Sequence, residues 1–149
     1  MPQSLAQIHL HLIFSTKDRR PVLGDILTAT HEYIGGIIRE LGSASHRIGG
    51  TADHVHALCL LPRALCPAEL VQKIKTGSSK WLKKQGIDSG RFAWQKGYGA
   101  FSVSASNLGN AAAYIANQAK HHHRRTFQEE YREFLDRHNV QYDERYVWD

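Results

Sequence analysis

The sequence predicts an α+β domain in which strand-like and helix-like segments alternate before two helices close the chain. Apolar and polar residues alternate over 6–16, whereas apolar residues recur at mostly helical spacing over 24–41. The chain has 149 residues, of which 42% are hydrophobic, and this length is typical of one domain with a single buried core. We therefore expect residues 1–149 to form one domain.

The first half of the chain predicts a strand, a helix and a hairpin in that order. The alternating segment forms the strand, and the helix follows it, although Gly35 and Gly36 weaken the middle of that helix. Residues 45–61 then predict two strands joined by a turn around 49–53, and Pro62 ends the second of them.

The second half predicts a helix, a β-like segment and two closing helices. Their expected bounds are 66–86, 92–106, 107–123 and 126–138. Pro67 suits the start of the first of these helices, and Asn107 is a plausible N-cap of the second. The resulting order is that of the ferredoxin-like βαββαβ plan, an antiparallel sheet, with C-terminal helices added.

Side-chain alternation predicts which residues share each face of this sheet. The plan places strands one and three side by side in the centre, with the first two helices covering one face. If Leu10, Leu12 and Phe14 pack under those helices, the alternate positions of the central strands face the open side. The open face then carries four histidines, which are His9, His11, His54 and His56.

Two of these histidines combine with a later segment into a candidate metal site. A histidine pair at i and i+2 is a weak signal by itself, but Tyr114 and Gln118 lie four residues apart and share one helix face. A helix over the open face would complete a set of three neutral ligands for one divalent ion, namely His54, His56 and Gln118. Tyr114 would then lie beside a bound phosphate.

Three segments together resemble a known family. The "HVH" at the start of a strand, the stretch "FAWQKGYGAFSVSAS" and the single tyrosine of "YIANQAKHH" are similar to HUH-type, single-tyrosine transposases of bacterial insertion sequences. The resemblance extends from "HLIFSTKDRRPVL" near the start to "YDERYVWD" at the end. It implies that His54, His56 and Gln118 bind Mg²⁺ or Mn²⁺, and that Tyr114 is the catalytic nucleophile.

The resemblance also implies a reaction and partners. Attack by Tyr114 on single-stranded DNA would give a 5′-phosphotyrosine intermediate and a free 3′-hydroxyl, so that insertion-sequence ends are cut and rejoined. DNA hairpins at the element ends and a homodimer are implied as partners, with Tyr114 acting in cis or in trans.

Related transposases of repetitive extragenic palindromes carry an asparagine-proline motif after the tyrosine. The "YIANQ" found here favours the insertion-sequence branch.

Basic residues predict contacts to the DNA backbone. The formal net charge is +5, which favours a polyanionic partner. The residues expected to neutralise phosphates are Lys17, Arg19, Arg20, Lys73, Lys75 and Lys80. A solvated helix face is the alternative interpretation of the lysines. Trp94, Tyr98 and Phe101 can stack on bases, but a core role is favoured.

Cysteine usage and the lack of long apolar runs predict a cytoplasmic protein. Cys59 and Cys66 have no CxxC spacing, so we expect both to be free thiols. The start of the chain does not resemble a secretory leader, and no apolar run approaches the ~18 residues of a membrane span. No membrane partner is therefore expected.

Two other functions remain open from the sequence. One is a single-stranded nucleic-acid-binding protein that has lost transposition, and the other is a metal-dependent nuclease in which water attacks the phosphate. The consecutive histidines at 121–123 are expected to contact phosphate or solvent rather than to form a second metal site. The roles of His9 and His11 stay undecided.

Overall fold

The computed structural model describes residues 2–149 and shows an antiparallel sheet with helices on both faces. The strands are β1 (His9–Ser15), β2 (Ser45–Thr51), β3 (His54–Leu60) and β4 (Gly99–Val103). The helices are α1 (Leu27–Glu40), α2 (Pro67–Lys84), α3 (Leu108–Ala116), α4 (Gln118–His121) and α5 (Phe127–Arg137).

The strand order of the sheet is β2-β3-β1-β4, and each neighbouring pair is antiparallel. The predicted α+β class and the four-stranded antiparallel sheet are thus confirmed for residues 2–149. The expected central pairing of the first and third strands is also present, with Leu12 opposite Ala57 and Ile13 opposite His56. Only two residues, Ala52 and Asp53, separate β2 from β3, so the turn is tighter than predicted.

One face of the sheet forms the larger core. Leu12 and Phe14 of β1 lie fully buried against α1 and α2, as the alternation predicted. Ile34 and Ile38 of α1 are four residues apart and point into this core, since such positions share one helix face. Ile74 of α2 is buried in the same cluster.

The opposite face, expected to be open to other elements, is covered by the C-terminal part of the chain. Ile13 and Phe101 pack against Phe127, Tyr131 and Leu135 of α5, and the last residues of the chain add to this cluster. These α5 side chains therefore attach the helix to the sheet by apolar packing. The histidines of β1 and β3 lie beneath this cover.

Two predicted elements differ from the structure. The helix expected over 107–123 is broken at Asn117, whose φ of −101° and ψ of 20° separate α3 from α4. The side-chain amide of Asn117 donates to the Ala113 carbonyl oxygen at 2.9 Å, so it competes with the backbone for that acceptor.

The β-like segment predicted at 92–106 is a strand only over Gly99–Val103. Trp94 instead packs edge-to-face on Phe14, at 4.9 Å between centroids.

The two thiols are free, as their spacing predicted. Cys59 is buried and Cys66 exposed. Burial raises the pKa of the Cys59 thiol to about 12, so this group stays protonated at neutral pH. None of the helices formed by residues 2–149 combines the length and apolar character that a membrane crossing requires.

Candidate active site

Strand β3 supplies the two histidines of the candidate site. His54 and His56 are fully buried and face the side of the sheet that the C-terminal helices cover. Their positions follow from the two-residue period of the strand, with Ser15 and Ile13 opposite them on β1. The strand therefore presents two imidazoles from a rigid surface.

Gly49 brings the tyrosine-bearing helix close to this surface. It lies opposite His56 on β2, and a Cβ at this position would stand 2.5 Å from the Ile115 carbonyl oxygen. The missing side chain lets the backbone of α3 rest on β2, a close approach that glycine permits. Tyr114 and Gln118, on α3 and at the start of α4, are thereby placed above the histidines.

Helix α5 adds a buried carboxylate to the same space. A capping box between Thr126 and Glu129 starts this helix, and Glu130 follows with no exposed surface. The carboxylate of Glu130 contacts side chains from three other elements. They are the Tyr114 hydroxyl, Gln118 Nε2 at 3.1 Å, His56 Nε2 at 3.0 Å and His122 Nε2 at 3.2 Å.

Hydrogen bonds outside the cluster fix the orientation of two imidazoles. Nδ1 of His54 lies 2.7 Å from the Asp53 carboxylate, and Nδ1 of His122 lies 2.9 Å from the Arg125 carbonyl oxygen. Both partners accept hydrogen bonds, so each Nδ1 carries the proton and each Nε2 of a neutral ring offers a lone pair. Such outer partners are typical of metal-binding histidines.

The inward atoms of neutral His54 and His122, and the Gln118 Oε1 oxygen, are consequently electron-pair donors, whereas His56, and His122 when it is protonated, donate to Glu130. Nε2 of His54 and of His122 lie 2.9 and 3.0 Å from Gln118 Oε1, and His54 Nε2 is 3.6 Å from Glu130 Oε1. The bond from Gln118 Nε2 to Glu130 fixes which amide atom points inward. Lone pairs that face one another at this distance repel unless a proton or a cation lies between them.

The spacing of these atoms fits one divalent ion. Ligand atoms on perpendicular axes of an octahedral ion, each at about 2.1 Å, are about 3 Å apart. The ligand atoms of His54, His122 and Glu130 all lie within 4.8 Å of one another, so this group could hold a metal. Mixed nitrogen and oxygen donors suit several first-row divalent metals.

Burial and the Glu130 charge shift the protonation of the cluster. Burial would raise the pKa of Glu130, but hydrogen bonds from His122 and His56 outweigh it and hold that pKa well below its usual range. Burial lowers the pKa of His56 to about 4, which keeps this imidazole neutral. Burial opposes a charge on His122, yet its bond to Glu130 raises the pKa above the ordinary value.

The Tyr114 hydroxyl is held in its protonated form. Burial, the hydrogen bond to Glu130 and the charge of Glu130 raise its pKa above the ordinary value, and the nearby Arg125 opposes them in part. The Arg125 guanidinium donates to this hydroxyl oxygen at 3.2 Å. The phenol thus stands between a carboxylate and a guanidinium, directly beside the histidine cluster.

The sequence of the chain matches the family described as "Transposase IS200 like" over residues 4–118. The chain belongs to the IS200-like transposase family. This membership implies an enzyme of DNA transposition. The matched segment includes Tyr114 and Gln118 and ends before His122, Arg125 and Glu130.

Two solved structures share the fold of this IS200-like chain. A "putative transposase" of Deinococcus radiodurans R1 is 22% identical, with a TM-score of 0.58 over 79% of this chain and 98% of that chain. A REP-associated tyrosine transposase bound to a REP hairpin is 13% identical, with a TM-score of 0.60 over 82% of this chain and 73% of that chain. A search of curated proteins found no match.

The IS200-like chain brings all four sequence-predicted site residues into one cluster. Tyr114 and Gln118 contact Glu130 directly, His56 does so through Nε2, and His54 approaches Gln118. The residues that sequence reasoning missed are Glu130 and His122. His122 was expected to contact phosphate or solvent, but its ring lies against the other ligand atoms.

A signal for Glu130 is present in the sequence. It falls between Phe127, Tyr131 and Phe134, on the apolar side of an amphipathic helix. A carboxylate in that stripe must be buried when the helix packs, and burial is costly for a charge without partners. An acid at such a position therefore indicates a polar site beneath the helix.

The residues predicted to contact DNA differ in how far their side chains are exposed for such contacts. Lys73, Lys80 and Lys17 are exposed. Lys75 is half-buried and donates to the backbone carbonyl oxygen of Gln95 at 2.8 Å. This bond favours a structural role for Lys75.

The two arginines near the end of β1 also have partners within the chain. Arg20 forms a salt bridge with Asp88 at 2.5 Å. The Arg19 guanidinium lies 5.8 Å from the centre of the Trp148 ring. Arg20 nevertheless remains exposed, beside a cavity of about 290 Å³ that Lys17 also lines.

Proposed function

We propose that this chain is a DNA transposase that cuts and rejoins single-stranded DNA through a covalent bond to Tyr114. The observation that carries the proposal is the meeting of the Tyr114 hydroxyl with the buried histidine, glutamine and glutamate cluster on three structural elements. A nucleophile next to a candidate metal site is the arrangement that phosphoryl transfer to a side chain requires.

A divalent ion, Mg²⁺ or Mn²⁺, would be held by His54, His56 and Gln118, with Glu130 and His122 as further donors. Bound there, it would polarise and orient a non-bridging oxygen of the scissile phosphate. Asp53 keeps the His54 ring in the tautomer that offers Nε2. Imidazole nitrogens favour Mn²⁺ at least as much as Mg²⁺.

The chain's own residues position the Tyr114 oxygen and stabilise the charge that develops on it. The oxygen of Tyr114 would attack the scissile phosphorus and lose its proton, while the bond from phosphorus to the 3′-oxygen breaks and that oxygen gains a proton. Arg125, which donates to the same hydroxyl oxygen, would stabilise the negative charge that develops there. Because the phosphotyrosine bond conserves the phosphodiester, attack by a 3′-hydroxyl can rejoin the strand.

The substrate we propose is a DNA hairpin at the end of an insertion sequence. One structure of similar fold holds a REP hairpin, and this chain has a formal net charge of +5. Phosphate contacts would come from Lys17, Arg19, Arg20, Lys73, Lys75 and Lys80, with Lys75 the least accessible of them. A homodimer, in which Tyr114 completes the site in cis or in trans, is part of the proposal.

Labelled single-stranded hairpins taken from the DNA that flanks the encoding locus test this function. With Mn²⁺ or Mg²⁺ the full chain should form a protein–DNA adduct that survives denaturation. Tyr114→Phe should abolish the adduct, whereas Tyr131→Phe, which removes a phenol from the packed part of the same sheet face, should retain it. Cleavage without an adduct would indicate a nuclease that uses water, and a band shift alone a binding protein; either would overturn the proposal.

A further inference from the structure

A cleft next to Tyr114 lies outside the histidine cluster. Its volume is about 300 Å³, at the lower end of the range of small-molecule pockets in proteins. It lies between β4, the first turn of α3 and the end of α5. The lining residues that matter here are Phe101, Asn107, Asn110, Tyr114, Phe134 and His138.

Aromatic rings form one wall of this cleft. The rings of Phe134 and His138 are nearly parallel, with an interplanar angle of 5°, and Phe101 lies 4.5 Å from His138 between centroids. Phe134 lies on α5 and His138 directly follows its last residue, and positions four residues apart at a helix end project from the same side. Flat ring faces of this kind bind unpaired nucleobases by stacking.

Two side-chain amides also line the cleft. Asn110 Nδ2 donates to Asn107 Oδ1 at 3.0 Å, and both residues are exposed. Each amide has two N–H donors and one carbonyl acceptor, so this single bond leaves donors and acceptors for a ligand. Paired amide donors and acceptors match the hydrogen-bonding edge of a base.

Tyr114 also contacts a basic segment. His121 stacks on its ring at 4.5 Å, and Arg125 donates to its hydroxyl. Together with Lys120 and Arg124, His121 and Arg125 line a positively charged hollow. A DNA strand that passes Tyr114 would therefore have both cations and aromatic and amide groups within reach.

We infer that the cleft binds the unpaired nucleobase adjoining the scissile phosphate. This inference rests on the proposed function, because it needs a DNA strand at Tyr114. The base stacks on Phe134 and His138, and its edge hydrogen-bonds with Asn107 and Asn110. The cleft then contributes to sequence preference at one nucleotide beside the cleavage point.

Abasic substitution in the DNA tests the cleft. Hairpin substrates with an abasic spacer on either side of the cleaved bond are compared with intact DNA by the rate of covalent adduct formation. In the wild-type chain, the spacer should slow the reaction about tenfold at one of the two positions. Asn110→Ala and Phe134→Leu should slow the reaction on intact DNA and reduce the effect of the spacer to less than about threefold.

The exposed residue Gln72 of α2 provides the control. Gln72→Ala removes an amide far from the cleft and should keep the full spacer effect. If adducts form but neither spacer slows them, or if both cleft variants keep the wild-type sensitivity, the cleft does not bind the base. If the wild-type chain forms no adduct with any intact substrate, the proposed function itself fails.

Discussion

At the scale of single residues, Glu130 organises the candidate site, although the sequence analysis did not include it among the site residues. A fully buried carboxylate is costly unless hydrogen bonds or opposite charge compensate it. Here the Tyr114 hydroxyl, Gln118 and two histidines surround it, and the hydrogen bonds from His122 and His56 hold its pKa well below the usual range despite burial. Together with burial, its hydrogen bond and charge keep Tyr114 protonated, so Glu130 links the nucleophile to the ligand set.

Glu130→Gln should weaken divalent metal binding. Glutamine keeps the size and one inward oxygen but loses the charge that a cation at His54 and His122 would experience at short range. We expect the affinity for Mn²⁺, measured by calorimetry on the full chain, to fall at least about tenfold. Glu32→Gln, an exposed change of equal charge on α1, should leave it unaltered. Equal affinities in all three proteins would remove Glu130 from the ligand set.

Sequence reasoning reached four residues of this cluster but not the other two. His54 and His56 follow from strand alternation, and Tyr114 and Gln118 from helical spacing, because both are local patterns. His122 and Glu130 join only when α5 folds back over the sheet. That packing depends on contacts between segments distant in the chain, which periodicity does not encode.

At the scale of elements, the contact between β2 and α3 sets the distance from Tyr114 to the histidines. Gly49 is buried, and the Ile115 carbonyl oxygen occupies the space of its absent Cβ. Asn117 then interrupts the helix, so that Gln118 starts a new short helix. Small backbone features therefore determine how far the nucleophile stands from the metal ligands.

Gly49→Ala should displace α3 from the sheet. The added methyl group would lie 2.5 Å from backbone, which a side-chain rotation cannot relieve. We expect a loss of about 1–3 kcal/mol in the free energy of unfolding, measured with urea, and a slower formation of the Tyr114 adduct.

Gly109→Ala provides the matched change on α3 itself. A Cβ there meets nothing within 4 Å among the described residues, and alanine favours a helix over glycine by about 0.5–1 kcal/mol. This variant should be at least as stable as the wild type and equally active. If Gly49→Ala behaved like Gly109→Ala, the close contact would not control the position of Tyr114.

The elements themselves were predictable where one periodicity dominated. The alternation in β1 and β3 correctly predicted which side chains face α1 and α2 and which face the opposite side of the sheet. Burial of one face imposes the same two-residue period on the sequence. The break at Asn117 escaped prediction, since the spacing of Tyr114 and Gln118 is compatible with an unbroken helix. The segment before β4 also differs from the strand that its aromatic residues predict. Its aromatic residues Phe92 and Trp94 enter the core from a largely irregular backbone.

At the scale of the whole molecule, the fold buries several histidines in neutral form. Burial lowers the pKa of His11 to about 3, aided by the neighbouring His56, and lowers those of His56 and His31 to about 4. His31 lies on α1, and its Nε2 is buried without a hydrogen-bond partner among residues 2–149. The unfolded chain has no such restriction, so it binds protons that the folded chain excludes.

The free energy of unfolding should therefore decrease as the pH falls from about 6.5 to 4. In this window the unfolded chain takes up protons at His11, His31 and His56, and each excess proton contributes at most about 1.4 kcal/mol per pH unit. The lowered pKa of Glu130 adds stability that is present above about 4.5 and lost only below it. The raised pKa of His122 adds stability that is fully present at every pH below its ordinary value of 6.5.

His31→Gln tests this balance away from the metal ligands. It removes one titrating group and should make the decrease of stability between pH 6.5 and 4 shallower, as measured by urea unfolding in the presence of a chelator. Partial exposure of His31 keeps the difference below the full value for one proton. Gln72→Ala, an exposed change on α2 that removes no titratable group, should leave the slope as in the wild type. Parallel curves for His31→Gln and the wild type would mean that the folded chain accepts a proton at His31 without cost.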